Sequence, residues 1–393
     1  MNKKIWLSLF LLCTALLGAC APADRSTPSS SFSAGAVTPG ISESSGSPAE
    51  TLGSETLFPP PTARPDPQTD HLSSATEPEF SATVRLTFAG DCSFGAINAF
   101  DGPRYFPTVY RGSGSVSYPF DGVKSIFEND DLTVVNFEGT LTDATREADK
   151  QWHFKGDGAF ARILPAASVE VALLTNNHSG DYLEQGYADT VRHLSAEGVG
   201  LVEENEPFVT AVNGVSVVII GDSSVVGEDT THTDGVAERV LAQIARWKNG
   251  RTIVVVDMHW GSEYTETPSE WQRAAARAFI DAGADLVVGQ HPHIMQGIEQ
   301  YRGKPIVYSL GNFAFGGNCL ARYPETFLFQ VAFAADESGI AVASTEIIPC
   351  FMTSGTERNG AGVLWNNFQP RLVSGEEALQ VLALIEERSA LLK

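Results

Sequence analysis

One rhythm, repeated six times, limits what this 393-residue chain can fold into. A short run of β-branched and aliphatic residues ends at once in Gly, Asn, Asp or His. Residues 84–89 lead to Gly90-Asp91, and 132–135 lead to Asn136-Phe137-Glu138-Gly139. Residues 171–175 lead to Asn176-Asn177-His178, and 253–256 to Asp257-Met258-His259. Residues 286–289 precede His291-Pro292-His293, and 306–310 precede Gly311-Asn312. Continuous apolar runs of this length read as strands covered on both faces. Helical patterns over 184–197, 237–247 and 269–282 lie between several of them, with Pro268 suited to the first turn of the third. Gly198 and Gly283 suit helix ends. Residues 327–333 and 340–348 read as further strands and 375–392 as a closing helix. The alternation predicts an α/β domain. In such sheets ligands bind at the carboxyl edge, where each of these polar residues falls.

The N-terminus predicts a compartment. Lys3 and Lys4 precede an apolar stretch over 5–17, then Leu17-Gly18-Ala19-Cys20. This is the pattern of a secretory signal, too short for a spanning helix. The cysteine after small residues matches a bacterial lipobox, with Cys20 as the lipidated first residue; the alternative is ordinary cleavage beside an incidental cysteine. Residues 21–81 are dense in Ser, Thr, Pro, Gly and Ala, a composition that cannot bury enough surface to offset ordering entropy. The expected organisation is therefore a lipoprotein signal peptide over 1–20, a disordered tether over 21–81 and a folded domain over 82–393. The expected location is the extracytoplasmic face of the cell membrane, held by the lipid anchor. A formal charge of −22 argues against a nucleic-acid partner but not against a small anionic substrate held at a metal. Within the folded part only Cys92, Cys319 and Cys350 occur, which is no disulfide scaffold, though Cys319 and Cys350 could pair in an oxidising compartment.

The chain has eight histidines, and four of them, His178, His259, His291 and His293, directly follow predicted strands. Two imidazoles one residue apart on a loop can turn towards one site. Asp91, Glu138 and Asn177 add oxygen donors. Mixed nitrogen and oxygen sites hold one or two divalent ions and hydrolyse phosphoesters; manganese, iron, zinc and magnesium are all compatible. Asp91, Glu138, Asn177, His259, His291 and His293 give six ligands, enough for one ion and marginal for two. His178 then remains as an acid that protonates a leaving oxygen. Asp181 either orients His178 or caps the following helix. Asn136, Glu263 and Asn312 are candidates for supporting the ligands or touching substrate. Trp260 reads as wall, Asp257 as structural, and His153, His193 and His232 as surface or loop histidines. Lys155 or Arg322 could hold an anionic substrate.

Six motifs now stand in order: Gly90-Asp91, Asn136-Phe137-Glu138-Gly139-Thr140-Leu141, Asn176-Asn177-His178-Ser179-Gly180-Asp181, His259-Trp260-Gly261-Ser262-Glu263, His291-Pro292-His293 and Ser309-Leu310-Gly311-Asn312-Phe313. Together they resemble the signature set of the CapA family, linked to poly-γ-glutamate capsule synthesis, over about 83–348. The resemblance implies a calcineurin-like metallophosphatase sandwich of two sheets flanked by helices (α/β/β/α). It also implies that the six residues above are metal ligands and His178 the acid. One departure stands out. The wider superfamily carries a histidine two residues after the first aspartate; here that position is Ser93, and Glu138 replaces an aspartate. One metal position thus loses a nitrogen ligand, and Cys92 is a conceivable substitute. The expected function is that of a lipid-anchored capsule-biosynthesis protein with a divalent-metal site, a hydrolase or transferase on a phosphoester or envelope polymer. The alternative is a non-enzymatic component that binds or exports the capsule polymer beside other capsule-synthesis membrane proteins.

Overall fold

The computed structural model describes residues 80–226 and 230–393. The expected signal peptide, the lipobox Cys20 and the tether up to residue 79 lie outside the described residues. The first strand, β1 (Ser81–Ser93), is followed by β2 (Leu132–Phe137), β3 (Val171–Leu173) and β4 (Gly200–Val202), all parallel and adjacent in that order. Next come β5 (Phe208–Val212), β6 (Val215–Ser223), β7 (Thr252–His259), β8 (Leu286–Gln290), β9 (Ile298–Tyr301) and β10 (Lys304–Val307). These six form a second sheet in the order β9-β10-β8-β7-β6-β5. The chain then returns to the first sheet. β11 (Asn312–Phe315) pairs in parallel with β1, while β12 (Glu325–Asp336), β13 (Gly339–Phe351) and β14 (Arg371–Leu372) extend that sheet antiparallel beyond β1.

The continuous apolar runs are explained by the two-residue period of a strand. In β7, Ile253 and Val255 point between the sheets, while Val254 and Val256 point outward. The inward set meets Val84, Leu86, Phe88 and Val134 of the first sheet across a shared core. Outward-facing Val218, Ile220, Val254 and Val256 pack on Val240 and Ile244 of one helix (Val236–Trp247) and on Phe279 and Ile280 of another (Glu270–Ala282). Ala89, Val135 and Ala172 pack on the other side against Phe106 and Leu194, from helices Phe106–Ser113 and Leu183–Ala196. Each such aliphatic side chain contributes about 1.5–3 kcal/mol when fully buried. The result is four layers, α/β/β/α, as expected of a metallophosphatase-type sandwich. The closing helix, Gly375–Ala390, plugs one end of the inter-sheet core with Val381 and Ile385.

Three expectations need correction in detail. Ser269, not Pro268, starts the helix Glu270–Ala282: its hydroxyl accepts from Gln272 N–H in a capping box, and Pro268 lies before the cap. The polar residues do not line one sheet's edge; they line a rim shared by the carboxyl ends of both sheets. His153 lies in a loop, one of its two expected positions, but is buried there, with its Nε2 2.8 Å from the Ala148 carbonyl. β6 follows the same sequence rhythm, but its terminal Asp222 is taken by Arg239 at 2.8 and 3.0 Å and never reaches the rim. Among the described residues no disulfide joins Cys92, Cys319 or Cys350.

Candidate metal centre

β1 carries Asp91 to the rim, and the turn after β2 carries Glu138. Both are fully buried. From the second sheet, β7 ends at His259, also fully buried. The ligand atoms of these three residues lie within 4.8 Å of one another, a group that among the described residues is competent to hold a metal. His291 and His293 follow β8 on a tight loop with φ of +96° and +56°. The ring of His291 stands 4.7 Å from that of His259. His293 Nδ1 lies 3.1 Å from Asp91 Oδ2 and 2.9 Å from Asn312 Oδ1. Asn177 Oδ1 is 2.9 Å from His259 Nε2. All six expected ligands therefore meet at one place, three from each sheet.

Asn136 organises them. Its amide nitrogen donates to Asp91 Oδ1 at 2.8 Å and Glu138 Oε1 at 3.0 Å, and lies 3.2 Å from His259 Nδ1. Asn312 bonds His293, and Glu263 Oε1 stands 3.9 Å from His293 Nε2 with a third of its side chain exposed. Asn176 fixes the turn that bears Asn177 and His178: it donates to the Asn136 side chain and the Phe137 carbonyl, and accepts from His178 N–H.

The electrostatics fit a cation. Burial pushes the Glu138 carboxyl well above its usual range, and neighbouring Asp91 adds to the shift. Burial also favours a neutral Asp91, but the hydrogen bond and charge of His293 outweigh it and hold Asp91 low. His259 is kept neutral, first by burial and then by the charges of His291 and His293. Burial works against a charged His293 too, yet Glu138 and Asp91 raise it to about 10. Glu138 Oε2 is buried without a hydrogen-bond partner. An orphaned carboxylate oxygen beside a second carboxylate and the neutral imidazole of His259 is a donor set for a divalent ion.

His178 lies beside this group. Its Nδ1 is 2.9 Å from Asp181 Oδ2, and its ring stacks on Phe154 at 4.1 Å. Asp181 does not cap the helix. Its Oδ2 also accepts from Phe154 N–H at 2.5 Å, while Oδ1 pairs with Lys150. Burial pushes the His178 imidazole down to about 4, with the Asp181 bond opposing. Lys150 is the residue that sequence reasoning missed. Its side chain is almost wholly buried; it donates to the Asn177 carbonyl at 2.9 Å and lies 3.2 Å from His178 Nδ1.

Other candidates have other roles. Cys92 faces the aromatic cluster on the helix side of β1, opposite Asp91, and burial raises its thiol, so it is no substitute ligand. Ser93 Oγ is buried without a partner. Lys155 donates to the Ala144 carbonyl at 2.8 Å and lies over the Tyr182 ring at 4.4 Å. Trp260 is fully buried wall, donating to the Tyr308 carbonyl at 3.0 Å. Asp257 is buried beneath the site beside Gln290, and burial raises it to about 8, with Asp91 adding to the shift. His232 is exposed.

Residues 85–317 match the family model of the bacterial capsule synthesis protein PGA_cap. The chain belongs to this family. It is similar to a PGA biosynthesis protein CapA of Bacillus subtilis, 35% identical over 249 residues, covering 59% of this chain and 63% of that one. It is also similar to a capsule biosynthesis protein CapA of Bacillus anthracis, 32% identical over 306 residues, covering 72% and 71%. It thus spans just under two thirds of the first relative's length and rather more of the second's. A probable polyglutamine synthesis accessory protein of Mycobacterium tuberculosis is 32% identical over 249 residues, covering 54% of this chain and 65% of that one. Among solved structures, the calcineurin-like phosphoesterase YfkN from Bacillus subtilis aligns at 12% identity with a TM-score of 0.43, covering 79% of this chain and 98% of that one. A phosphatase from Mycoplasma pneumoniae aligns at 15% identity with a TM-score of 0.42, covering 78% and 100%. The layered architecture rests on the sheets themselves, and the capsule family on its sequence.

Proposed function

We propose that this capsule-family protein is a divalent-metal-dependent phosphoester hydrolase of capsule biosynthesis, held by a lipid anchor at Cys20 on the outer face of the membrane. The observation that carries the chemistry is the meeting of Asp91, Glu138 and His259 within 4.8 Å, beside the His178–Asp181 pair. Asp91, Glu138, Asn177, His259, His291 and His293 would hold the ion. Bound there, a divalent cation supplies positive charge that polarises a phosphoryl oxygen and acidifies water. The chain's own groups do the rest. Asn136 fixes the carboxylates, and Asp181 fixes the orientation of His178. Water adds to phosphorus and gives one proton to bulk solvent as the ester P–O bond breaks. The His178 ring, protonated from solvent once the anionic ester is bound, delivers its proton to the departing oxygen. His178 is neutral at pH 7 in the free protein, and an anionic ester beside it favours the protonated ring. With a chain charge of −22, only a site with its own cation suits an anionic substrate.

The test is a metal analysis joined to a phosphodiesterase assay on purified protein. His178→Ala should keep its metal and lose about 10²–10⁴-fold in kcat. Asp91→Asn and His259→Ala should lose both metal and activity. Protein that takes up no divalent metal after supplementation would sink this reading. A second reading has one observation in its favour, the word accessory in the name of the Mycobacterium tuberculosis relative. On that reading the domain binds an acidic capsule polymer without chemistry, and polymer binding would survive both chelation and His291→Ala.

A further inference from the structure

The rings of the site continue outward as an unbroken series. Phe154 stacks on His178, Phe315 packs edge-on against Phe154 at 5.5 Å, and His293 lies 5.0 Å from Phe315. Beyond His293 come Tyr264, at 6.3 Å, and then Tyr323, a further 5.7 Å away. The inner members are buried, whereas Tyr264 and Tyr323 are 47% and 45% exposed. Tyr264 also sits at φ +55°, where a bulky residue is strained. Its N–H donates to the Pro292 carbonyl at 2.8 Å, which ties the strained residue to the loop carrying His291 and His293. Strain of this kind persists only where surrounding structure imposes it, and it gathers at ligand clamps.

We infer that Tyr264 and Tyr323 form a platform for a sugar ring, so that the ester is a glycosyl phosphate whose phosphoryl group lies among Asp91, Glu138 and His259. This rests on the hydrolase reading and names the substrate class of that same site. The two ring planes are tilted by 36°. That angle rules out a parallel clamp on a flat base and leaves a bent surface at the mouth. Polar groups edge it: Asn318 hydrogen-bonds the Tyr264 side chain, the charge of Arg322 is felt there, and Glu263 reaches towards His293. A sugar ring is apolar on its C–H face and hydroxylated at its rim, and this surface offers both complements. A flat nucleobase can lie parallel to only one of two rings tilted by 36°, whereas a puckered sugar ring can touch both. An acyl chain would leave the edge groups unmatched.

The test uses the full chain, loaded with Mn²⁺ in detergent, and three diesters that share a methyl group: methyl glucopyranosyl phosphate, methyl thymidine phosphate and dimethyl phosphate. Hydrolysis is followed by ³¹P NMR. The glucosyl ester should show a KM about ten-fold below the other two, the scale of one good ring contact. Tyr264→Ala and Tyr323→Ala should each raise that KM about ten-fold, with kcat within about two-fold and metal content unchanged. Tyr264→Phe keeps the ring and should stay near the parent. Tyr323 has no backbone strain, so Tyr323→Ala serves even if the change at Tyr264 disturbs the loop. Preference for the thymidine ester, or an unchanged KM in Tyr323→Ala, overturns the platform. If metal is bound yet no ester is hydrolysed, the hydrolase reading fails alone. Saturation-transfer NMR of methyl glucopyranosyl phosphate on the loaded protein then decides the platform. Contact that is lost in Tyr323→Ala upholds it; no contact, or contact that survives, overturns it.

Discussion

Lys150 brings a single charge to two acceptors and stands beside the candidate acid. Its ammonium donates to the Asn177 carbonyl, pairs with Asp181 and lies 3.2 Å from His178 Nδ1. It therefore braces the backbone of one candidate ligand and the carboxylate behind the candidate acid. Removing one partner of a buried ion pair costs about 3–5 kcal/mol, because the other charge is left uncompensated. Groups that orient metal ligands are worth about 10–100-fold in affinity. Lys150→Met should therefore lower the urea midpoint and weaken metal binding about ten-fold, with Asn177 still present. Lys150→Arg should recover stability more than affinity, since a planar fork does not fit the space one ammonium fills between the Asn177 carbonyl and Asp181. Urea unfolding and metal titration check both, and an unchanged metal affinity in Lys150→Met would show that Asn177 needs no brace. Nothing in the sequence marks Lys150. It lies in a loop without a motif, and only the fold carries it under the turn at Asn177.

At the scale of strands, the entry side of β2 and β3 carries a second acidic pair, away from the rim. Glu170 Oε2 accepts from Thr133 N–H at 2.8 Å, and Asp130 Oδ2 accepts from the Thr133 hydroxyl at 2.8 Å. Burial raises Glu170 to about 7 and Asp130 to about 6, from ordinary values of 4.5 and 3.8. Groups raised in the folded state stabilise it when protonated. This contribution is complete below the ordinary values and is lost as pH climbs through about 6 and then about 7. Glu170→Gln keeps the acceptor and drops the charge. Thermal melts should show a flatter stability curve between about pH 5 and pH 8 and a gain at the upper end of up to about 1 kcal/mol, the scale that partial exposure leaves. An equally steep curve would refute the assignment. The parallel pair β1 and β11 sets another constraint. A Cβ on Gly90 would stand 1.8 Å from the Gly311 carbonyl oxygen, which also accepts from Asp91 N–H at 3.0 Å. Gly90→Ala should cost about 3 kcal/mol and displace Asp91, read as a lower denaturant midpoint together with lost metal. These strands were legible because helices cover both sheets, so each run is apolar on both faces. The six ligand positions were legible because each directly follows such a run. Sheet membership was not: a parallel strand reads the same in either sheet. Nor was Tyr323, which reaches Tyr264 only after the chain has crossed back to the first sheet.

Taken whole, the molecule is two sheets sharing one apolar core, with three candidate ligands contributed by each. Asp91, Glu138 and Asn177 come from the first sheet; His259, His291 and His293 come from the second. An ion bound by all of them clasps the rim of the sandwich. The unfolded chain scatters the same residues over some two hundred positions, so it competes poorly for the ion. Binding to the native state alone stabilises by about 2.7 kcal/mol when free metal is a hundred times its Kd. For a domain of this size that corresponds to a rise in Tm of about 5 °C. Chelation should reverse the rise. Asp91→Asn and His259→Ala should each abolish it, although the two residues stand on different sheets, whereas Arg322→Ala, on the exposed loop beside Tyr323, should leave it intact. The chain charge of −22 supplies the rival explanation, loose cation binding over an acidic surface. That binding would fade as sodium chloride is raised and would ignore both ligand substitutions. A shift that survives Asp91→Asn and His259→Ala alike would therefore move the cation from the rim to the surface, and the clasp between the sheets would be lost with it.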